Sequence, residues 1–146
     1  MSIRIGQKFC GPDGRWHNGT EQFAWDARTG APMELPFNGY KTIPVDLDGD
    51  GFHEIVRGAP SGDGEVLTGA GERIGSVGGA VAIAAKLLDA PGEQLLSYHE
   101  DGGVRIWADR NAEDSAVASE RYVSPLYRAN RKLTGSGYNL NALAGL

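Results

Sequence analysis

The stretch Asp46-Leu47-Asp48-Gly49-Asp50-Gly51-Phe52-His53-Glu54, set between Ile43-Pro44-Val45 and Ile55-Val56, decides how the rest of the chain is read. Carboxylates at the alternate positions 46, 48 and 50 can converge on one cation. Gly51 permits a sharp turn, and Glu54 returns from the start of the next segment to close an oxygen shell. The ion read from this spacing is Ca2+. Its ligands would be the side chains of Asp46, Asp48, Asp50 and Glu54 and the backbone carbonyl of Phe52, with water at the remaining positions. A helix-loop-helix calcium site carries its closing glutamate at the twelfth loop position, which here is Arg57, so an EF-hand is excluded. Crowding these acids into one partly desolvated turn costs on the order of 1 kcal/mol or more per close pair. Without a cation the turn should be looser, and with one it pins a strand connection rather than performing chemistry.

Outward from this loop, glycine punctuates short apolar segments instead of gathering in a single linker, which is a β-rich pattern. Strands are expected at Gln22–Asp26, Tyr40–Val45, His53–Gly58, Gly64–Thr68, Ala80–Lys86, Glu93–Tyr98 and Gly103–Ala108. Composition alone would allow a helix over Ala80–Leu88. A repeat decides for a strand. Shifted by 40 residues, Ile43-Pro44-Val45 lies over Ile83-Ala84-Ala85 and Glu54-Ile55-Val56 over Gln94-Leu95-Leu96. A shift of 39 brings Gly64-Glu65-Val66-Leu67 onto Gly103-Val104-Arg105-Ile106, and Trp25 and Trp107 are 82 apart, near two periods. Periods near 40 with three or four strands each indicate β-propeller blades. In the second copy Asp46, Asp48, Asp50 and Glu54 fall on Lys86, Leu88, Ala90 and Gln94, so that repeat has lost its metal.

The expected fold is therefore all-β: a single partial propeller unit over 1–146, with a first blade at 22–75 carrying the calcium loop. A second blade without ligands follows at 76–114, and a basic, helical and extended tail at 115–146. Propellers typically need four to eight blades. Two cannot close, and exposed strand edges are normally covered or paired. Other blades of a larger protein, or copies of this chain in a homo-oligomer, are the expected partners; a misread sandwich is the alternative.

Composition is that of a soluble globular protein, 40% hydrophobic and 23% charged over 146 residues. No run approaches the roughly 18 apolar residues of a membrane helix, and the start Met1-Ser2-Ile3-Arg4-Ile5-Gly6 lacks the apolar core of a signal peptide. Cys10 is the only cysteine, which rules out an intrachain disulfide and leaves the compartment unread. Charge is uneven: residues 46–120 hold 15 acids and 5 bases, whereas 121–146 hold Arg121, Arg128, Arg131, Lys132 and no acid. The tail reads as a solvated face, a polyanion surface, or a dock for the acidic body of the same chain. A nucleic-acid partner is not expected, because the chain carries a net charge of −5 and no recognition motif. Within the tail, Pro125 can start a short helix over Leu126–Leu133 that ends at Gly135-Ser136-Gly137, with Tyr138-Asn139-Leu140-Asn141 extended beyond it.

The acidic loop, of the form Asp-x-Asp-x-Asp-Gly-x-x-Glu between strands, resembles the calcium loops of FG-GAP-type propeller blades. Together with Leu95-Leu96-Ser97-Tyr98 leading to Gly103-Val104-Arg105-Ile106-Trp107, and with Tyr127-Arg128-Ala129-Asn130 followed by Gly137-Tyr138-Asn139, it resembles the C-terminal part of rhamnogalacturonan lyases of polysaccharide lyase family eleven. The resemblance spans about residues 22 to 142; the chain lacks most of that family's blades and the Pro-Pro-His that often follows the Gly-Tyr-Asn turn. It implies an eight-bladed calcium-binding propeller, an acidic polysaccharide as partner, β-elimination as activity, and an extracellular or periplasmic location.

Elimination at a uronic acid needs a cation that neutralises the carboxylate and acidifies the α-proton, and a base that removes it. Tyr138 is the candidate base and Arg128, or Lys132, the carboxylate partner. The competing reading makes Tyr138 a packing aromatic with a hydrogen-bonded hydroxyl. His53 reads as a solvent-exposed loop residue, and His17 and His99 give no zinc spacing with each other or with Cys10. Gly69-Ala70-Gly71-Glu72-Arg73-Ile74-Gly75 lacks the helix a dinucleotide site requires, and no Gly-x-Ser-x-Gly elbow is present.

Overall fold

The computed structural model describes residues 2–4, 8–10, 16–18, 24–26, 28–37, 39, 42–57 and 64–135. It is mostly antiparallel β-sheet, with two short helices near the C-terminal end. Two compact units divide the chain at Tyr40/Lys41.

In the first unit β1 (Ser2–Arg4), β4 (Ala24–Asp26) and β5 (Pro32–Met33) form one sheet in the order β1-β4-β5, and β2 (Lys8–Cys10) pairs with β3 (Trp16–Asn18). The β4–β5 turn is closed by Asp26, whose Oδ1 accepts the backbone N–H groups of Arg28 and Thr29, both at 2.9 Å. Gly30 supplies the positive φ of 70° that the turn requires.

The second unit carries two sheets. The first is four-stranded, in the order β6 (Thr42–Val45), β7 (Glu54–Arg57), β8 (Glu65–Leu67), β9 (Arg73–Ser76); the second is three-stranded, β10 (Ala80–Ala85), β11 (Gln94–Tyr98), β12 (Val104–Trp107). All seven expected strands are present, and Ala80–Leu88 is strand rather than helix over Ala80–Ala85. Two readings change. The blade read at 22–75 is a sheet over 42–76, because its fourth strand is β9 and β4 belongs to a different sheet. The spacing between Trp25 and Trp107 is no strand repeat, since β4 is the central strand of its sheet and β12 lies at an edge.

The 40-residue repeat is reproduced in the central rows, up to the irregularity between Val81 and Ile83. Ile43 faces Val56, which faces Val66; 40 residues on, Ile83 faces Leu96, which faces Ile106. The neighbouring row Pro44–Ile55–Leu67 likewise matches Ala84–Leu95–Trp107. The third strand thus keeps the period of 40, and the shift of 39 read from the sequence is one residue off. In a strand a slip of one exchanges the two faces, so this correction decides which residues meet.

The buried core joins Ile43, Val45, Val56 and Val66 of the first sheet, Val77 after it, and Val81 and Leu95 of the second. Val56 and Leu95 lie on alternate rows of the repeat. Equivalent sheets therefore pack front to back: the row Ile43–Val56–Val66 goes into the core, while its counterpart Ile83–Leu96–Ile106 does not. That counterpart remains part-exposed, with Ile106 at 47%.

Helix α1 (Ala116–Val123) starts where the Ser115 hydroxyl accepts the Ala118 N–H at 3.1 Å. Ser124 ends it and caps α2 (Pro125–Gly135), its Oγ accepting the Tyr127 N–H at 3.1 Å, with Pro125 at the first helical position. The expected tail helix is thus α2, and α1 is an addition.

Because Leu95 is 1% exposed at the centre of the shared core, Leu95→Ala should lower unfolding free energy by about 2–5 kcal/mol in urea melts. Ile106→Ala, on the part-exposed row, should stay within about 0.5 kcal/mol. Equal losses would refute the front-to-back assignment.

Candidate metal centre

The β6–β7 connection places Asp46, Asp48 and Asp50 so that one carboxylate oxygen from each lies within 4.8 Å of the others. Its backbone is shaped by its own side chains. Asp48 Oδ1 accepts the Asp50 N–H at 3.1 Å, and Asp50 Oδ1 accepts the Phe52 N–H at 2.7 Å. Gly49 and Gly51 hold φ of 80° and 97°. A Cβ at Gly49 would come within 2.8 Å of the Glu113 carbonyl oxygen, so close docking as well as turn geometry selects glycine there.

That docking comes from the segment leading into α1. The Asp48 carbonyl accepts the Glu113 N–H at 2.9 Å, and the Gly49 carbonyl accepts the Ser115 N–H at 2.8 Å. Asp46 is fully buried, and Arg121 of α1 donates to its Oδ2 at 3.0 Å. The same guanidinium donates through Nη2 to the Gly51 carbonyl and lies 3.3 Å from His53 Nε2. Of the readings open for the basic tail, Arg121 follows the dock onto the acidic body.

Glu54 is not among the clustered oxygens: its Oε2 accepts the Leu47 N–H at 2.9 Å and so closes the loop. The second loop shows what this position does. There Gln94 Oε1 accepts the N–H groups of Leu87 and Leu88, each at 2.8 Å, while its Nε2 donates to the carbonyls of Gly92 at 2.8 Å and Pro91 at 3.3 Å. Pro91 and Gly92 are the counterparts of Gly51 and Phe52. An amide N–H thus sits in the second loop where a cation bound by Glu54 and the Phe52 carbonyl would sit in the first. Lys86 occupies the position of Asp46, and its ammonium pairs with Asp114 at 2.7 Å. The second loop is closed by internal donors.

Residues outside the motif complete the centre. Glu93, buried, accepts the Asp46 N–H at 2.9 Å through Oε2 and the Tyr127 hydroxyl at 2.6 Å through Oε1. Tyr127 in turn accepts the Lys86 N–H at 2.8 Å, and the Lys86 ammonium lies 4.3 Å from the centroid of the Tyr122 ring. Glu93, Asp114, Arg121, Tyr122 and Tyr127 are not anticipated from spacing, since each reaches the loops through the packing of sheets and helices. The signal the sequence does carry is that a tail with bases and no acids follows an acidic body.

Burial raises the pKa of Asp46 and of Glu93. Burial also pushes Glu54 up to about 7, with Asp48 and Asp46 adding repulsion. His53 is half-buried rather than exposed, and burial beside Arg121 lowers it to about 4. Tyr122 and Tyr127 are raised, chiefly by burial. The centre therefore holds more negative charge than its surroundings solvate, which is the electrostatic condition for taking up a cation.

The donor set fits a hard cation held by oxygen. Of the catalytic candidates, Arg128 is exposed on α2, and Tyr138 lies outside the described residues. No helix among the described residues is long and apolar enough to cross a membrane. Comparison with protein-family models, with curated proteins and with solved structures gives no match.

In metal-free buffer, Glu54→Gln should reproduce the closure made by Gln94. The folded pKa of Glu54 is raised, so the folded state holds the proton more tightly. Its contribution to stability is present below the ordinary value of 4.5 and is lost as pH rises to about 7. The melting temperature of the variant should therefore overtake that of the parent across this window, with the gap constant above it. His53 titrates in both proteins and cancels. A gap independent of pH would contradict the assignment.

Proposed function

We propose that this chain is a calcium-fastened portion of a β-propeller of a rhamnogalacturonan-type polysaccharide lyase, which cleaves an acidic polysaccharide by β-elimination. The observation that carries the propeller reading is the front-to-back packing of two sheets with the same register 40 residues apart. Sheets related by rotation about a common axis present one face to the preceding sheet and the opposite face to the next. The part-exposed row Ile83–Leu96–Ile106 is then the seat of a further blade, from a longer protein or from a copy of the chain.

Calcium is supported by the three clustered aspartates and by the contrast with the second loop, where an amide and an ammonium take the place of ion and carboxylate. Asp46, Asp48, Asp50, the Phe52 carbonyl and Glu54 would hold the ion, whose role is to neutralise the loop and fix β6 against β7. Arg128 would neutralise the uronate and Tyr138 remove its α-proton. On this reading the work is done outside the cell or in a periplasm, an expectation supported by the resemblance to the lyases.

A second reading, a non-catalytic calcium-dependent module that binds carbohydrate or protein, is favoured by one observation. A tyrosine base needs an accessible hydroxyl with a lowered pKa, whereas Tyr122 and Tyr127, the tyrosines that donate to Asp46 and Glu93 among the described residues, are part-buried, hydrogen-bonded and raised.

Asp48→Ala removes an exposed ligand while leaving the Asp48 carbonyl to accept from Glu113. It should lower the melting temperature in calcium and abolish its dependence on added calcium; an undiminished calcium response would overturn the metal assignment. Incubation of the assembled protein with rhamnogalacturonan should raise the ultraviolet absorbance of unsaturated uronate, and Arg128→Ala should abolish that rise. No rise with the parent protein would leave the binding module.

A further inference from the structure

Two cations have a claim on the first loop. Arg121 reaches it from α1 with a side chain only 11% exposed, donating to Asp46 Oδ2 at 3.0 Å and to the Gly51 carbonyl. Its second acceptor is informative: the Gly51 carbonyl is the counterpart of the Pro91 carbonyl, which in the second loop receives the Gln94 amide. Each loop therefore has a protein donor at the same place, Gln94 in one and Arg121 in the other. Gln94 belongs to its own loop and is permanent, whereas Arg121 arrives on a separate helix, 75 residues away in sequence.

We infer that Arg121 is a resident counter-cation of the acidic loop and competes with the divalent ion, so that metal binding and the seating of α1 oppose one another. This rests on the metal reading above. A guanidinium bound to Asp46 Oδ2 leaves Oδ1 facing the loop but neutralises part of the charge of one of the three clustered carboxylates and repels a second cation across a buried site. Coupling between two ligands of one site is reciprocal: whatever factor Arg121 takes from the affinity for calcium, calcium takes from the docking of α1.

Calorimetric titration of calcium into the parent chain and Arg121→Gln measures the factor. The variant should bind about tenfold more tightly, within the roughly 5–150-fold span of coupled sites, and should melt lower in chelator. Hydrogen exchange on the unmutated protein gives an independent reading, with the amides of α1 exchanging faster when calcium is present. Equal or weaker binding by Arg121→Gln, or slower exchange in calcium, would overturn the competition while leaving the metal site intact. Failure of both proteins to bind calcium would overturn the metal reading and the competition with it.

Discussion

A fully buried carboxylate, Asp46, is the group around which the second unit is arranged. Its backbone N–H and carbonyl both bond to Glu93, the residue before β11, the carbonyl accepting the Glu93 N–H at 2.6 Å, while its side chain meets Arg121 of α1. Both sheets and the helical arm thus converge on one charge. Removing one partner of such a buried pair typically costs about 3–5 kcal/mol, because the other charge stays buried without compensation. Asp46 cannot move to solvent without undoing the junction of the sheets. The loop must therefore be supplied with positive charge where it lies.

The two loops answer that demand differently. The second substitutes Lys86 and Gln94 and closes on its own amide and ammonium, with Asp114 locking the ammonium in place. The first keeps its carboxylates and depends on charge from elsewhere. Gly92 marks how tightly the loops are joined: at φ 66°, its added Cβ would fall 2.1 Å from the Leu47 carbonyl oxygen. The second loop is closed by Gln94 together with Asp114, whereas the first keeps three clustered carboxylates that could hold a metal ion.

Much of this was legible in the sequence, and the reason is local. Strands such as Thr42–Val45 announce themselves by alternation, and the spacing of Asp46, Asp48 and Asp50 is fixed by the pleat and turn geometry of one short loop. The repeat was legible because apolar positions survive where ligands do not. What stayed hidden was non-local. The third-strand offset needed the pairing of Leu96 with Ile106, and β9, Arg73-Ile74-Gly75-Ser76, holds one large apolar side chain and so shows no alternation. Arg121 lies 75 residues from its acceptor, so no window of sequence contains both. His53 read as an exposed loop residue because nothing local foretells a helix packing over it.

In the proposed function one loop of the pair takes an ion and the other has replaced it. Anomalous diffraction from a crystal soaked in a lanthanide, a hard calcium-like cation, tests it most directly. A peak is expected among the carboxylates of Asp46, Asp48 and Asp50 and none in the loop from Lys86 to Gln94. A peak in the second loop, or none in the first, would contradict it.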